Sequence, residues 1–193
     1  MNRILACTIV AAIGVTPMVS AQGNVALKGG LSFGNVSNSG ILPGNLQTRT
    51  GFAAGLAWGT GRKTLGLGVE ALYAQRGMTS ASSPDERKLD YVDVPVFIRA
   101  LFPTPGIAPY AFAGPQVSFE LRCRSGGSAC PSTDRPSTTY AGVIGGGARL
   151  GATSAFTLEG RYVYGLTDLK PSTVTSSESY KTRSFLILVG WTF

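Results

Sequence analysis

Large apolar residues alternate with small or polar residues through most of the chain beyond residue 23. Successive residues of a β-strand face opposite sides, so this alternation predicts strands with one apolar face and one mixed face. The clearest case is the segment 185–193, and we expect the other strands to close onto it. Its large apolar residues are Phe185, Ile187, Val189, Trp191 and Phe193.

The same alternation predicts eight strands whose connections are alternately long and short. The strands are expected at roughly 24–33, 50–59, 64–75, 90–102, 109–122, 139–150, 155–166 and the C-terminal segment. The long, polar connections are expected at 34–49, 76–89, 123–138 and 167–181. Pro95 and Pro115 fall inside strands and predict local bulges or register shifts.

Charged residues within the predicted strands fall on one face, and the opposite face carries none. An even strand number, alternating connections and an apolar exterior are typical of outer-membrane barrels. The fold class predicted for residues 22–193 is therefore all-β, an eight-stranded antiparallel up-and-down transmembrane β-barrel in the cell outer membrane. The charges expected to line its lumen are Lys28, Glu70, Asp93, Arg99, Glu120, Arg149, Glu159 and Arg161.

A periplasmic lipocalin-like ligand-binding barrel would show the same alternation with its faces inverted. Three features favour the membrane barrel. The apolar face has an aromatic residue on nearly every strand, which is too bulky for an eight-stranded interior. The mixed face is rich in small residues, and its four acids and four bases can neutralise one another.

The N-terminal segment is typical of a secretory signal peptide. Arg3 precedes an apolar run from Ile4 to Val15, and residues 19–21 form an A-x-A-like cleavage site. We therefore expect residues 1–21 to be removed. The alternative, a lipoprotein acylated at Cys7, is disfavoured because only six residues precede that cysteine.

Cys123 and Cys130 remain after the predicted cleavage and flank a Gly/Ser-rich segment. Two nearby cysteines in an exported chain predict a disulfide bond. The chain contains no histidine, so it lacks the usual base of serine hydrolases and a common zinc ligand. We expect no catalytic residue, cofactor or metal site, although a lysine-activated serine or a carboxylate pair stays open.

The net charge of +7 is dispersed along the chain. Basic residues near the predicted outer strand ends suggest contact with anionic lipopolysaccharide rather than nucleic acid, with a merely solvated rim as the alternative. Because side chains can fill an eight-stranded lumen, we expect a plug, with a small passive channel as the alternative. The basic residues are Arg76, Arg87, Lys88, Arg122, Arg124, Arg135, Lys181 and Arg183.

Four segments carry a family resemblance: residues 89–96, 109–115, 158–166 and the strand that ends at Phe193. In these segments the chain resembles small outer-membrane β-barrel proteins of the porin-family or PorT-like group, with the OmpX and OmpA barrels as architectural relatives. The resemblance implies no enzyme activity. It implies that Phe193 and the apolar positions before it are a signal for the barrel assembly machinery. We expect a monomer in outer-membrane lipid, with a role in envelope integrity or surface contact.

Overall fold

Nine antiparallel β-strands form a single sheet in the described part of the chain. Strand β6 has only two residues and pairs with the end of β5 alone. The strands are β1 (Gly23–Asn38), β2 (Leu46–Thr60), β3 (Leu65–Ser80), β4 (Arg87–Leu101), β5 (Ile107–Ser125), β6 (Ser128–Ala129), β7 (Thr138–Leu150), β8 (Ala155–Gly165) and β9 (Tyr180–Thr192).

The computed structural model describes residues 23–38, 46–60, 64–80, 87–102, 104–125, 128–129, 137–151, 155–167 and 180–193. The predicted signal peptide, Cys130 and the central parts of the four predicted long connections lie outside these residues. Among the described residues there is no helix of the length and apolarity needed to cross a membrane.

The eight long strands close into a barrel. Each pairs with its neighbours in the order β4-β3-β2-β1-β9-β8-β7-β5, and β4 pairs in turn with β5. The first and last strands meet along a continuous ladder that runs from Ala26 opposite Thr192 to Asn38 opposite Tyr180. Closure leaves no long strand with a free edge, and it confirms the predicted eight-stranded up-and-down barrel.

The two faces of the sheet are sorted as the alternation predicts. Leu27 is 54% exposed, whereas its neighbour Lys28 is 8% exposed. Leu188 is fully buried beside Val189, which is 52% exposed. The apolar face is therefore on the outside of the barrel and the charged face lines the lumen. This arrangement is the reverse of a lipocalin-like cup.

The start of β1, the end of β9 and the junctions between β2 and β3, β4 and β5, and β7 and β8 lie at one end of the barrel, which we call the turn end. The opposite end, with the longer connections, is the loop end. Several strands extend further toward the loop end than predicted: β1 reaches Asn38, β3 reaches Ser80 and β5 reaches Ser125. The apolar alternation stops where the apolar exterior stops, but backbone pairing continues beyond it.

The strand register shifts by one residue at two places, between Thr48 and Ala53 of β2 and between Asp90 and Tyr91 opposite β5. The prediction of bulges or shifts at the strand prolines is wrong. Pairing around Pro95 resumes in the same register on both sides, and Pro115 stays opposite Gly142. A proline removes a donor from the ladder without requiring an extra residue in the strand.

Lumen-facing glycines permit the close approach of strands. A Cβ atom at Gly30, Gly55 or Gly114 would overlap a carbonyl oxygen of the neighbouring strand. A Cβ atom at the outward-facing Gly29 would have as its nearest neighbour only a carbonyl oxygen at 3.8 Å. The tight inward curvature therefore depends on glycine at these inner positions.

Candidate functional site

Four charged side chains from three strands form a closed ring of ion pairs in the lumen. Lys28 Nζ lies 2.6 Å from Glu70 Oε1 and 2.7 Å from Glu159 Oε2. Arg161 Nη2 lies 2.7 Å from Glu70 Oε2, and Arg161 also pairs with Glu159. Each cation thus bridges the same two carboxylates. We call Lys28, Glu70, Glu159 and Arg161 the charge ring.

Additional contacts fix the charge ring in position. The Arg161 Nε–H donates a hydrogen bond of 2.8 Å to Glu159 Oε1. The Tyr110 hydroxyl donates a hydrogen bond of 2.9 Å to Glu159 Oε2. The Arg161 guanidinium lies 5.3 Å from the centre of the Phe112 ring. The two acids and two bases balance in charge, and all four side chains are buried.

Aromatic residues of the lumen lie opposite glycines on the adjacent strand. Phe97 is paired with Gly68, Phe112 with Gly145, and Tyr110 with Gly147. A Cβ atom at any of these glycines would collide with the ring opposite it. The missing side chain makes room for each aromatic ring to cover the neighbouring strand. This placement explains Gly145 and Gly147 on β7.

An apolar cluster fills the lumen around the charge ring. The Phe97 and Phe112 rings lie 4.8 Å apart between their centres. The alternation that assigns Tyr110 to the lumen also assigns Phe112, so the sequence carried the signal for this cluster. Its buried members are Ala53, Leu72, Ala74, Phe97, Leu101, Tyr110, Phe112, Ala141, Val143, Val163, Leu186 and Leu188.

A second ion pair lies on the loop-end side of the charge ring. Asp93 pairs with Arg76 Nη2, and both side chains are buried. The Arg76 guanidinium also lies 5.3 Å from the centre of the Tyr91 ring. The placement of Arg76 among the outer-rim cations is therefore wrong. Arg76 follows Glu70 in steps of two residues, so its side chain points into the lumen.

The remaining predicted lumen charges lie outside the charge ring. Arg99 is half-buried, and its guanidinium lies 5.9 Å from the centre of the Tyr110 ring. Arg149 is half-buried near the turn end, opposite Thr157 on β8. Glu120 is half-buried near the loop end, where it is paired in register with Tyr91. Four of the eight predicted lumen charges thus form the charge ring, and Asp93 pairs with Arg76. The other three lie outside these two groups.

A bulge on β5 turns basic residues outward at the loop end. Tyr91 is opposite Glu120 whereas Asp90 is opposite Arg122, which leaves Leu121 as an extra residue. Arg122 and Arg124 are consequently exposed on the outer face. Without the extra residue they would follow Glu120 toward the lumen.

Cys123 is buried beside Leu89 and Tyr91 at the loop end. Its partner in the predicted disulfide, Cys130, lies outside the described residues, so the bond stays a prediction. In the part of the chain that the structure describes, no three His, Cys, Asp or Glu side chains are grouped so as to hold a metal ion.

Aromatic residues ring the outer face at two heights. At the turn end, Phe156 and Trp191 meet edge to face with their ring centres 4.2 Å apart. Toward the loop end, Phe52 packs against Tyr73 at 5.5 Å. The predicted assembly-signal residues all lie on the exposed face of β9 or just beyond it: Phe185, Ile187, Val189, Trp191 and Phe193.

The family model described as "Outer membrane protein beta-barrel domain" matches residues 20–170 of the chain. A comparison with curated proteins found no significant match. Solved structures are similar in fold, with sequence identities of 14–15%.

Neisserial surface protein A has 15% identity and a TM-score of 0.51, over 86% of this chain and 95% of that protein. The attachment invasion locus protein Ail of Yersinia pestis, in complex with the heparin analogue sucrose octasulfate, has 14% identity and a TM-score of 0.50. That match covers 89% of this chain and 99% of Ail. The outer membrane enzyme PagL has 14% identity and a TM-score of 0.41, over 87% of this chain and 97% of PagL. At these identities the similarity concerns the fold alone.

Proposed function

The chain belongs to the outer membrane protein β-barrel domain family, and from this premise we propose that it is a non-conducting, non-enzymatic barrel of the cell outer membrane. Its role is envelope integrity or surface contact through the connections at the loop end. The observation that carries this proposal is the filled lumen. A barrel whose interior is packed with side chains can brace a membrane, but it offers solutes no aqueous path.

Two features of the lumen favour a plug over the alternative of a small passive channel. The charge ring ties β1, β3 and β8 together across the interior, and its side chains are 8% exposed or less. The aromatic rings of Phe97 and Phe112 pack against each other within the same cross-section. Opening a continuous path would require the rupture of buried ion pairs, which is costly once the partners are separated.

The proposal that the chain is not an enzyme rests on its residues. Histidine is absent from the sequence, so acyl transfer and hydrolysis lack their commonest base. The buried carboxylates of the charge ring are each held by two cations, an arrangement that leaves them poorly placed to accept a proton from a substrate.

Conductance measurements on the purified, refolded barrel test the proposal directly. Its closed state is checked first by gel electrophoresis, where an unboiled sample should migrate differently from a boiled one. In planar bilayers we then expect no single-channel steps, because the lumen is filled. Stable, reproducible steps from a preparation that passes the gel test would show that the barrel is a channel.

We also propose that the loop-end cations bind the anionic head groups of lipopolysaccharide. Arg122 and Arg124 are exposed on the outer face, just beyond the apolar Phe119 and Leu121. Along this strand the apolar surface is followed by positive charge. The acyl chains of a lipopolysaccharide molecule would contact the apolar residues, and its phosphates would contact the arginines. Each basic residue near an anionic membrane surface is worth about 1 kcal/mol.

The double variant Arg122→Gln, Arg124→Gln should consequently lose more than ten-fold in lipopolysaccharide affinity, measured with the refolded barrel in detergent. The variant Arg99→Gln is the matched control, since it removes an arginine that faces the lumen. Equal binding by the wild type and the double variant would show that these residues form only a solvated rim and do not bind lipopolysaccharide.

Four features remain proposals about processing and assembly. The signal peptide over residues 1–21 and the Cys123–Cys130 disulfide involve residues outside the described part of the chain. Recognition of the terminal strand by the barrel assembly machinery is supported by the exposed apolar face of β9, which closes the barrel against β1. We propose a monomer, because every long strand already has two neighbours.

A further inference from the structure

The backbone ladders on both sides of β4 are interrupted near the middle of the strand. Pairing with β3 leaves out Val94 and Pro95. Pairing with β5 leaves out Val96 and Phe97. The ladders that join β7, β8, β9 and β1 are continuous. Residues 94–97 therefore differ from the opposite part of the barrel wall.

A proline accounts for the interruption on the β5 side. The Phe102 N–H donates a 2.8 Å hydrogen bond to the carbonyl oxygen of Pro109. Antiparallel strands repeat such bonded positions at every second residue, which places Val96 opposite Pro115 at a bonded position. Because proline has no N–H, the Val96 carbonyl receives no ladder hydrogen bond from β5.

A second proline accounts for the interruption on the β3 side. The Leu101 N–H donates a 2.7 Å hydrogen bond to the carbonyl oxygen of Thr64. Counting in steps of two along both strands places Glu70 opposite Pro95 at a bonded position. The Glu70 carbonyl therefore receives no ladder hydrogen bond from β4. Since Pro95 and Val96 are adjacent, β4 loses one bond on each side at the same height.

The two interruptions lie at the height of the apolar exterior. Val96 and Ile98 are exposed on the outer face of β4. Lipid cannot replace a missing backbone donor as water does. A local displacement of β4 therefore breaks fewer hydrogen bonds here than at a complete ladder, and the free energy of that displacement is lower.

Side-chain contacts of β4 in this region go to an adjoining strand. Phe97 packs against Phe112 of β5 with ring centres 4.8 Å apart, and Arg99 lies 5.9 Å from the centre of the Tyr110 ring, also on β5. The charge ring, in contrast, spans the lumen between β1, β3 and β8. None of its members belongs to β4, so β4 can move while β3 stays anchored.

We infer that residues 94–97 of β4 form a lateral seam, a segment of the wall that opens locally toward lipid while the charge ring and the β1–β9 junction stay intact. Phe97 connects the seam to the apolar cluster of the lumen. Opening of the seam withdraws this ring from Phe112 and exposes the cluster sideways. The inference concerns the wall and does not depend on whether the lumen conducts along its axis.

Amide hydrogen exchange of the ¹⁵N-labelled, refolded barrel in zwitterionic detergent tests the seam. We expect the amides of Val96 and Phe97 to exchange roughly ten-fold faster, or more, than the amide of Val189. Val189 is the internal reference, because it lies opposite Gly29 in the continuous β1–β9 ladder. Exchange of Val96 and Phe97 as slow as that of Val189 would overturn the seam.

The variant Pro115→Ala supplies the missing N–H, and its side chain faces outward at an exposed position. It should slow the exchange of Val96 and Phe97 roughly ten-fold. Pro109→Ala is the matched control, because it adds an N–H to the same strand opposite β4 but at the turn end, and it should leave both rates unchanged.

The variant Pro95→Ala restores a donor on the β3 side and provides the test if Pro115→Ala fails to give a heat-modifiable barrel. It should slow the exchange of Phe97, which is paired with Gly68 of β3. Unchanged rates in both Pro115→Ala and Pro95→Ala would overturn the seam, as would an equal slowing by Pro109→Ala.

Discussion

Lys28 on β1 and Glu159 on β8 form an ion pair of 2.7 Å across 131 residues of sequence. The pair joins the first long strand of the barrel to the next-to-last one, with β9 between them. Glu70 on β3 holds Lys28 from the other side at 2.6 Å. The charge ring therefore forms only when the barrel is closed, and it fills the lumen at the same time.

The first prediction concerns Arg161, which is 1% exposed and bridges both carboxylates of the ring. In Arg161→Ala, Glu70 and Glu159 share Lys28 alone, and the loss of one partner of a buried ion pair costs about 3–5 kcal/mol. Urea unfolding of the refolded barrel measures this loss. Arg183→Ala, which removes an exposed arginine, should change stability by less than about 0.5 kcal/mol. Unchanged stability of Arg161→Ala together with new single-channel conductance would contradict the plug.

Two adjacent glycines provide a second prediction. Alanine at Gly30 would overlap the carbonyl oxygen of Ile187, whereas alanine at Gly29 has open space. Gly30→Ala should therefore destabilise the barrel by about 1–3 kcal/mol, as overpacking does. Gly29→Ala should be neutral or stabilising by up to about 1 kcal/mol, because it restricts the unfolded chain. Equal midpoints of urea unfolding for the two variants would show that the inner curvature tolerates a side chain.

The fold was predictable because the signal has a period of two and every strand repeats it. Charges such as Lys28 and Glu70 identify the inner face, and large residues such as Leu27 and Trp191 identify the outer one. The inward orientation of Arg76 was also predictable, because Arg76 and Glu70 are an even number of positions apart on β3 and so face the same side of the sheet. Arg76 was assigned to the rim because it follows the last large apolar residue of β3, although the strand itself continues to Ser80.

Other features could not be derived from the sequence. Which cation meets which carboxylate depends on strand tilt and closure, and a separation of 131 positions between Lys28 and Glu159 carries no local signal. The bulge at Leu121 was hidden for a different reason. The segment around it contains Arg122, Cys123 and Arg124. The sequence alone does not indicate whether the arginines or the cysteine face the lumen.

The third prediction uses the buried pair of Arg76 and Asp93. Asp93→Asn leaves the Arg76 charge uncompensated, and we expect a loss of about 3–5 kcal/mol. The double variant Arg76→Met, Asp93→Leu should recover most of that loss, because apolar replacements of a whole ion pair are often neutral. Unfolding of the wild type, of the single variants Arg76→Met and Asp93→Leu, and of the double variant gives the coupling energy between the two side chains. Additive losses in this cycle would mean that the two side chains do not interact.

The fourth prediction separates assembly from stability. Phe193 follows the last strand, its side chain is 71% exposed, and its backbone N–H donates a 2.9 Å hydrogen bond to the carbonyl oxygen of Val25. Phe193→Ala keeps that backbone bond, so the stability of the refolded barrel should change by less than about 0.5 kcal/mol. If the terminal aromatic residue is read during assembly, the same variant should reduce the amount of heat-modifiable barrel in outer membranes several-fold. Leu65→Ala is the control, since Leu65 is 66% exposed at the same end but lies on β3. Equal outer-membrane yields of the two variants would show that Phe193 is not part of the assembly signal.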